Sequence, residues 1–324
     1  MNDAKMLRRF GALLLAAFTA WILLDSFVIE RGYAAAESAE TQLFDDAQRE
    51  TQITQTGETA TLAASCGRET AGEKASAVLL PADAELLGEY ETDEMKLALY
   101  SFRCDDTQIY AADVILASAR NLKTAFADGI YGKNVTDKTS LIAAEAGAVL
   151  AINGDFYGAR ESGIVIRNGV LYRESMTEGE ILVIYADGSF AIRSAAETSA
   201  EELLADGAWQ AFSFGPGLVE NGEVSVSDGE EVGRAKASNP RTAIGRIGEG
   251  EYLFLVSDGR TEESEGLSLK QLAVLLAEMG CEEAYNLDGG GSSTMVFLGE
   301  VVNNPTTNGK RFSERSVSDI VYVG

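Results

Sequence analysis

The sequence predicts an α+β fold: mixed β-sheets flanked by helices, built from two related halves, after an N-terminal transmembrane helix and a stalk. Three observations carry this reading. Strand-like apolar runs start at Met95 and continue to the C-terminus. Helical patterns are few, one around Thr139–Ala146 and one after Ser268. Two Asn-x-Asp loops, holding Asp155 and Asp288, recur at a constant offset of 133 residues within matching surroundings.

The elements follow in order. Residues 1–9 read as a basic cytoplasmic tail, with Lys5, Arg8 and Arg9 flanking an apolar run at residues 10–29 that is long enough to span a bilayer. This run reads as an uncleaved anchor. A cleaved signal peptide, with small residues at Ala34 to Ala36, is the competing reading. Either places the remainder outside the cytoplasm. Residues 30–84 are poor in aromatics and acidic; from Glu30 to Lys96 there are 15 acidic and 5 basic residues, the composition of an extended stalk. The folded domain is expected over 85–324.

Within it, KLALYSFRC and TQIYAADVIL flank Asp105-Asp106 as a β-hairpin. A helix at Thr139–Ala146, stopped by Gly147, leads into the buried strand AVLAIN and then NGDFYG. Later, EYLFLVSDGR reads as a strand with a polar end, Ser268 caps a helix with Leu269, Leu272, Ala273 and Leu276 on one face, and EEAYN delivers NLDGGGSSTM. Glu145, Gly147, Ala151, Asn153 and Asp155 align with Glu278, Gly280, Ala284, Asn286 and Asp288 without a gap, and a hairpin follows each set, turning at Asn168-Gly169 and at Gly299-Glu300. Such a duplication would set the two Asn-x-Asp loops at equivalent strand ends, facing one cleft.

Composition narrows the chemistry. With 26 basic and 51 acidic residues the net charge is −25, against the basic footprint that nucleic-acid binding needs. There is no histidine, which excludes Ser-His-Asp and Cys-His chemistry and histidine-ligated zinc. Cys66, Cys104 and Cys281 match no metal spacing and read as free thiols. Acid–base work therefore falls to Asp, Glu, Tyr, Lys or Cys. Asp155 and Asp288 are the first candidates, and an Asx-type turn is the alternative for each. Asp258 and Arg260, in SDGRTEESEG, and Arg241, in SNPRTAIG, add a carboxylate and two cations suited to phosphate. Arg160 and Arg315 are weaker cationic candidates. Gly289, Gly290 and Gly291 let the chain bend at Asp288 while backbone N–H groups and the hydroxyls of Ser292, Ser293 and Thr294 line a polar pocket.

From about Leu97 to Val323 the chain resembles the phosphodiester glycosidase family, through NGDFYG, NPRTAIG, LVSDGRTEESEGLSLKQLAVLL, AYNLDGGGSSTM and ERSVSDIVYV. The resemblance implies release of a sugar from a sugar-1-phosphodiester of the GlcNAc-1-phosphodiester kind. It implies that Asn153, Asp155, Arg241, Asp258, Asp288 and the glycine loop lie at the site. Asp288 is then the key carboxylate, Asp155 or Asp258 assists, and Arg241 holds the phosphate, with Asn153, Asn286 and Arg260 contributing to substrate binding. The chain departs from the family pattern at NGDF, where other members have NGGF, and at ERS, where ERP is common. No cofactor is required by this reading, and a calcium or magnesium ion held by aspartates is compatible with it. The partners expected are a glycan or sugar-phosphate substrate and, through the N-terminal helix, a membrane. Two other readings stay open: a glycan-binding module without turnover, and a phosphodiesterase that cuts the P–O bond of wall polymers.

Overall fold

The computed structural model describes residues 76–175, 177–230 and 238–324. The apolar run at 10–29 and the stalk up to residue 75 lie outside them. Among the described residues no helix is long and apolar enough to cross a membrane.

Three sheets organise the domain, and every ladder in them is antiparallel. The eight-stranded sheet runs β1 (Glu85–Glu91), β2 (Met95–Cys104), β3 (Thr107–Leu116), β14 (Glu251–Ser257), β13 (Arg241–Gly248), β15 (Glu283–Asn286), β11 (Gly217–Glu220) and β12 (Glu223–Val224). A five-stranded sheet contains β7 (Val170–Arg173), β6 (Val165–Arg167), β10 (Ala208–Phe212), β8 (Glu180–Tyr185) and β9 (Phe190–Ser194). Another contains β17 (Glu300–Val301), β16 (Met295–Phe297), β5 (Leu150–Asn153), β18 (Asp319–Val323) and β4 (Lys123–Phe126). Among the described residues three α-helices accompany them: α1 (Thr139–Ala146), α2 (Ala200–Ala205) and α3 (Leu269–Glu278). The α+β expectation holds.

Alternation along the strands builds the layers. Leu97, Leu99, Ala112, Val114, Phe254 and Val256 face one way from the large sheet. They meet Leu150, Ile152, Val321 and Met295 of one small sheet and Leu182, Ile184 and Phe212 of the other. Their neighbours Ala111, Leu253 and Leu255 face the opposite way, onto Leu269, Leu272, Leu275 and Leu276 of α3. Helix α1 covers the outer face of β5 through Ile142 and Ala143, and α2 covers β6 and β8 through Ala200 and Leu203.

Local chemistry explains the connections. Asp105 and Asp106 turn the β2–β3 hairpin with φ of 47° and 54°, a left-handed pair that aspartate tolerates and that matches strand twist. Ser268 caps α3 in a reciprocal capping box with Gln271. The β16–β17 hairpin turns one residue earlier than its sequence suggests, at Leu298-Gly299, both at positive φ. Residues 77–84, assigned by composition to the stalk, lie against the domain instead. Ala77 donates to Glu251 Oε1, Leu79 donates to the Met279 carbonyl at 3.0 Å, and Val78 and Leu80 pack on the α3 layer. Cys104 and Cys281 are free, and the buried Cys281 thiol titrates above its ordinary value because burial disfavours the thiolate.

The order helix, strand, short 3-10 turn, hairpin occurs twice: α1, β5, Tyr157–Ala159, β6–β7, and then α3, β15, Gly290–Ser292, β16–β17. The second hairpin joins the sheet of the first strand, with β16 pairing to β5. That exchange brings the loops after β5 and β15 into contact.

Candidate active site

The two loops are tied by hydrogen bonds. Asn153, at the end of β5, donates through Nδ2 to the Asp288 carbonyl at 2.6 Å and accepts at Oδ1 from Thr242 Oγ1 and the Thr294 N–H. Asp288 N donates to the Gly154 carbonyl at 3.2 Å. Asn153 is fully buried and fixes the main chain of Asp288 from behind. It does not reach the cavity in front.

That cavity, of about 170 Å³, is lined by Asp288 with Gly289 and Gly290, by Arg241, Arg260 and Arg315, and by Phe214, Asn239 and Asn286. Arg315 Nη2 lies 2.9 Å from Asp288 Oδ2 and 2.6 Å from Ser292 Oγ, and its Nε lies 2.8 Å from the same hydroxyl. Burial raises the Asp288 carboxyl above the ordinary aspartate range. The Arg315 charge and the Ser292 hydroxyl act against that rise and favour the carboxylate. Arg260 donates through Nε and Nη2 to Asn239 Oδ1 and through Nη1 to the Thr307 carbonyl. Burial and then the charges of Arg315 and Arg241 push its guanidinium below the usual arginine range. Arg241 is 3% exposed and donates through Nε to the Leu267 carbonyl at 2.8 Å. Among the described residues, three guanidinium groups thus share the cavity with one carboxylate. Such a site accepts an anion, and phosphate geometry suits arginine.

Each glycine of the triplet has its own reason. A Cβ on Gly289 would stand 2.9 Å from the Pro240 carbonyl oxygen, one on Gly290 2.8 Å from Arg260 Nη2, and one on Gly291 2.4 Å from Thr307 Oγ1. Gly290 also takes φ of 64°, where glycine is favoured. The expectation that the loop's N–H groups face a ligand is corrected for three of them. Gly290 N donates to Pro240, Ser292 N to Gly289 and Ser293 N to Gly290. The cations supply the anion-binding character instead. Gly291, Ser292 and Ser293 sit behind the lining; Ser292 orders Arg315, while the buried Ser293 hydroxyl has no hydrogen-bond partner among the described residues.

Asn286 does line the cavity. Its Nδ2 donates to the Gly215 carbonyl at 2.8 Å, whereas its buried Oδ1 has no partner among the described residues, an acceptor that a bound hydroxyl would satisfy.

Asp155 and Asp258 are not brought to this cavity. Asp155 is 1% exposed, bonded to Arg167 Nη2 at 2.8 Å and to the Ser213 N–H at 2.9 Å. Arg167, buried between Asp155 and Asp319 and stacked over the Phe212 ring at 4.3 Å, forms a structural ion triad. Burial raises the Asp319 carboxyl, Arg167 opposes the rise, and Asp155 adds to it. Asp258 accepts from Asn304 N at 2.8 Å, Asn304 Nδ2 at 3.0 Å and Asn303 Nδ2 at 3.3 Å, and lines a different cavity. The paired-carboxylate arrangement expected from the repeated loops is therefore absent at the arginine cavity. Among the described residues no group of three or more Asp, Glu, Cys or His side chains comes together as a metal cluster would require.

Sequence reasoning missed Phe214 and Asn239 and ranked Arg315 too low. The FGPG run around Phe214 is a glycine- and proline-rich turn carrying an aromatic, a signal that was available. Arg160 stacks on that ring at 4.6 Å, outside the lining.

The sequence profile named phosphodiester glycosidase matches residues 146–324, a stretch that holds every residue of this cavity. The chain belongs to the phosphodiester glycosidase family. Similar members include the SPbeta prophage-derived uncharacterized protein YomE of Bacillus subtilis (strain 168), 30% identical over 182 residues, which are 54% of this chain and 28% of that protein. The mouse N-acetylglucosamine-1-phosphodiester alpha-N-acetylglucosaminidase is 32% identical over 101 residues, 28% of this chain and 19% of the enzyme. The chain thus spans less than a third of either relative. The zebrafish glycosidase catalytic domain, solved as a form auto-inhibited by its pro-peptide, superposes with a TM-score of 0.56 at 20% identity, over 74% of this chain and 87% of that one. That likeness establishes a shared fold.

Proposed function

We propose that this phosphodiester glycosidase hydrolyses the C–O bond between a sugar, GlcNAc or a close analogue, and the phosphate of a phosphodiester. The observation that carries the reading is that, among the described residues, the cavity sets one buried carboxylate, Asp288, against three arginines. In the reaction the phosphate departs as a monoester and gains negative charge as the bond breaks. Arg241, Arg260 and Arg315 are placed to stabilise that charge in a partly desolvated site. A phosphate leaves without needing a proton, so a second carboxylate acting as general acid is dispensable. Asp288 must be ionised, either to attack the anomeric carbon or to take the proton of an attacking water, and Arg315 and Ser292 favour that form. Asn286 Oδ1 is available to a sugar hydroxyl.

The basic-flanked apolar run at 10–29 supports placing this chemistry outside the cytoplasm, on a cell-surface glycan or wall polymer. The twice-occurring element order around Asn153 and Asn286 supports descent of the two halves from one duplicated unit.

The test is release of GlcNAc from a synthetic GlcNAc-α-1-phosphodiester by the full chain beside Asp288→Asn, in oxygen-18 water. Loss of about 10²–10⁴-fold in turnover is expected for the variant, with the fold retained. Label should enter the sugar. Label in the phosphate would replace the reading by P–O cleavage, and turnover unaffected by the substitution would remove Asp288 from catalysis.

A further inference from the structure

Two loops, residues 258–264 and 303–315, each face two cavities. Arg260 and Arg315 line the Asp288 cavity. Asp258 and Glu263 of the first loop, with Asn304 and Phe312 of the second, line another of about 380 Å³, closed by Arg103 and Tyr110 from the β2–β3 hairpin. The loops are held together by Arg260 Nη1 on the Thr307 carbonyl and by Asn304 on Asp258. Small-molecule sites run to roughly 300–1,000 Å³. The Asp288 cavity, at about 170 Å³, falls short of that and its neighbour does not.

The neighbouring cavity has a distinct chemistry. Among the described residues its one cation, Arg103, is set against the carboxylates of Asp258 and Glu263, and Arg103 donates to the Glu263 carbonyl, so it does not attract an anion as the arginine cavity does. Burial and the nearby Asp258 push the Tyr110 hydroxyl up to about 12, which keeps it a donor at neutral pH. Phe312 is 59% exposed, a bare ring in otherwise polar surroundings. A pyranose matches both features, with a face of C–H groups for the ring and an edge of hydroxyls for the polar wall.

We propose that this cavity, bounded by Phe312, Tyr110, Asp258 and Glu263, is a second subsite that binds a neutral sugar unit of the glycan carried on the far side of the phosphodiester. The assignment rests on the glycosidase reading of the Asp288 cavity. It makes the substrate a polymer or oligosaccharide phosphodiester, with selectivity for the aglycone residing in the 258–264 and 303–315 loops.

The experiment is binding of cellotetraose, mannotetraose and chitotetraose to the full chain, followed by saturation-transfer NMR and calorimetry. At least one should bind. Phe312→Ala should weaken that binding about tenfold, a loss of 1.4 kcal/mol. Phe312→Tyr, which keeps the ring, should retain it, and so should Asp288→Asn, whose side chain lines the other cavity. Phe312 is exposed, so its truncation leaves no core void, and an unchanged Tm verifies that the loss is local. No binding of any of the three sugars, affinity unchanged in Phe312→Ala, or affinity lost equally in Asp288→Asn would each overturn the proposal. Absence of GlcNAc release with sugar binding intact would instead count against the reaction alone.

Discussion

Asp288 and Arg315 work as a unit whose balance sets the acidity range of the site. Burial raises the carboxyl toward its protonated form, and Arg315 offsets this in favour of the anion that the proposed reaction needs. Removing the guanidinium in Arg315→Gln should therefore move the acid limb of the kcat/KM profile to higher pH, since the unopposed carboxyl loses its proton later. A pH–rate series on both proteins checks this; an acid limb that stays in place would detach Arg315 from the ionisation of Asp288. Arg167 carries a different burden. Replacing it in Arg167→Met leaves Asp155 and Asp319 buried without their cation, at a cost of roughly 3–5 kcal/mol at neutral pH. The Asp319 carboxyl, which burial already raises above its unfolded value, would then lose the cation that opposes the rise, so folding takes up a proton there. The loss should shrink as pH falls from about 8 to about 5, as thermal unfolding across that range would reveal.

At the scale of elements, the loop after β15 depends on what surrounds it more than on its own sequence. Its three glycines are required by Pro240, Arg260 and Thr307, residues supplied by three separate segments. Gly290→Ala should displace the Arg260 guanidinium and strain the backbone by about 1–3 kcal/mol, raising KM for a phosphodiester more than it lowers the Tm. Steady-state kinetics beside a melting curve separates the two effects. The hairpins and α3 were legible in the sequence because their signals are local: alternation, paired aspartates at a turn, serine three residues before glutamine. The role of Asp155 was not. A carboxylate beside a strand end looks the same whether it meets substrate or a buried arginine. Its partner's other contact, Asp319, lies 152 residues from Arg167, beyond any local pattern.

At the scale of the molecule, the sequence indicated strands and their turns but not their distribution among three sheets. Register and alternation are satisfied equally by several partners, and only packing decides that β16 joins β5 rather than its neighbour in sequence, β15. The same limit hid the docking of residues 77–84, which the acidic, aromatic-poor composition of the whole 30–84 segment assigned to a stalk while Val78 and Leu80 reach the α3 layer. Deleting residues 1–84 should thus destabilise the domain by about 2 kcal/mol relative to deleting residues 1–75, from the apolar area uncovered. Denaturant unfolding of the two truncations measures the difference, and equal midpoints would show the contact to be idle.

The arginine cavity sits within a chain of net charge −25, and the two fields have opposite reach. Far from the surface an anion meets repulsion, which salt screens within about 10 Å at 0.1 M. Inside, it meets guanidinium groups that salt screens much less. A singly charged diester crosses that outer barrier more easily than a doubly charged monoester. By the same asymmetry a more negative monoester, once outside, meets a higher barrier to return. On the proposed reaction the acidic exterior therefore discriminates before binding: it lets a capped phosphate approach more readily than an uncapped one, a selectivity set by a feature remote from the bond that breaks.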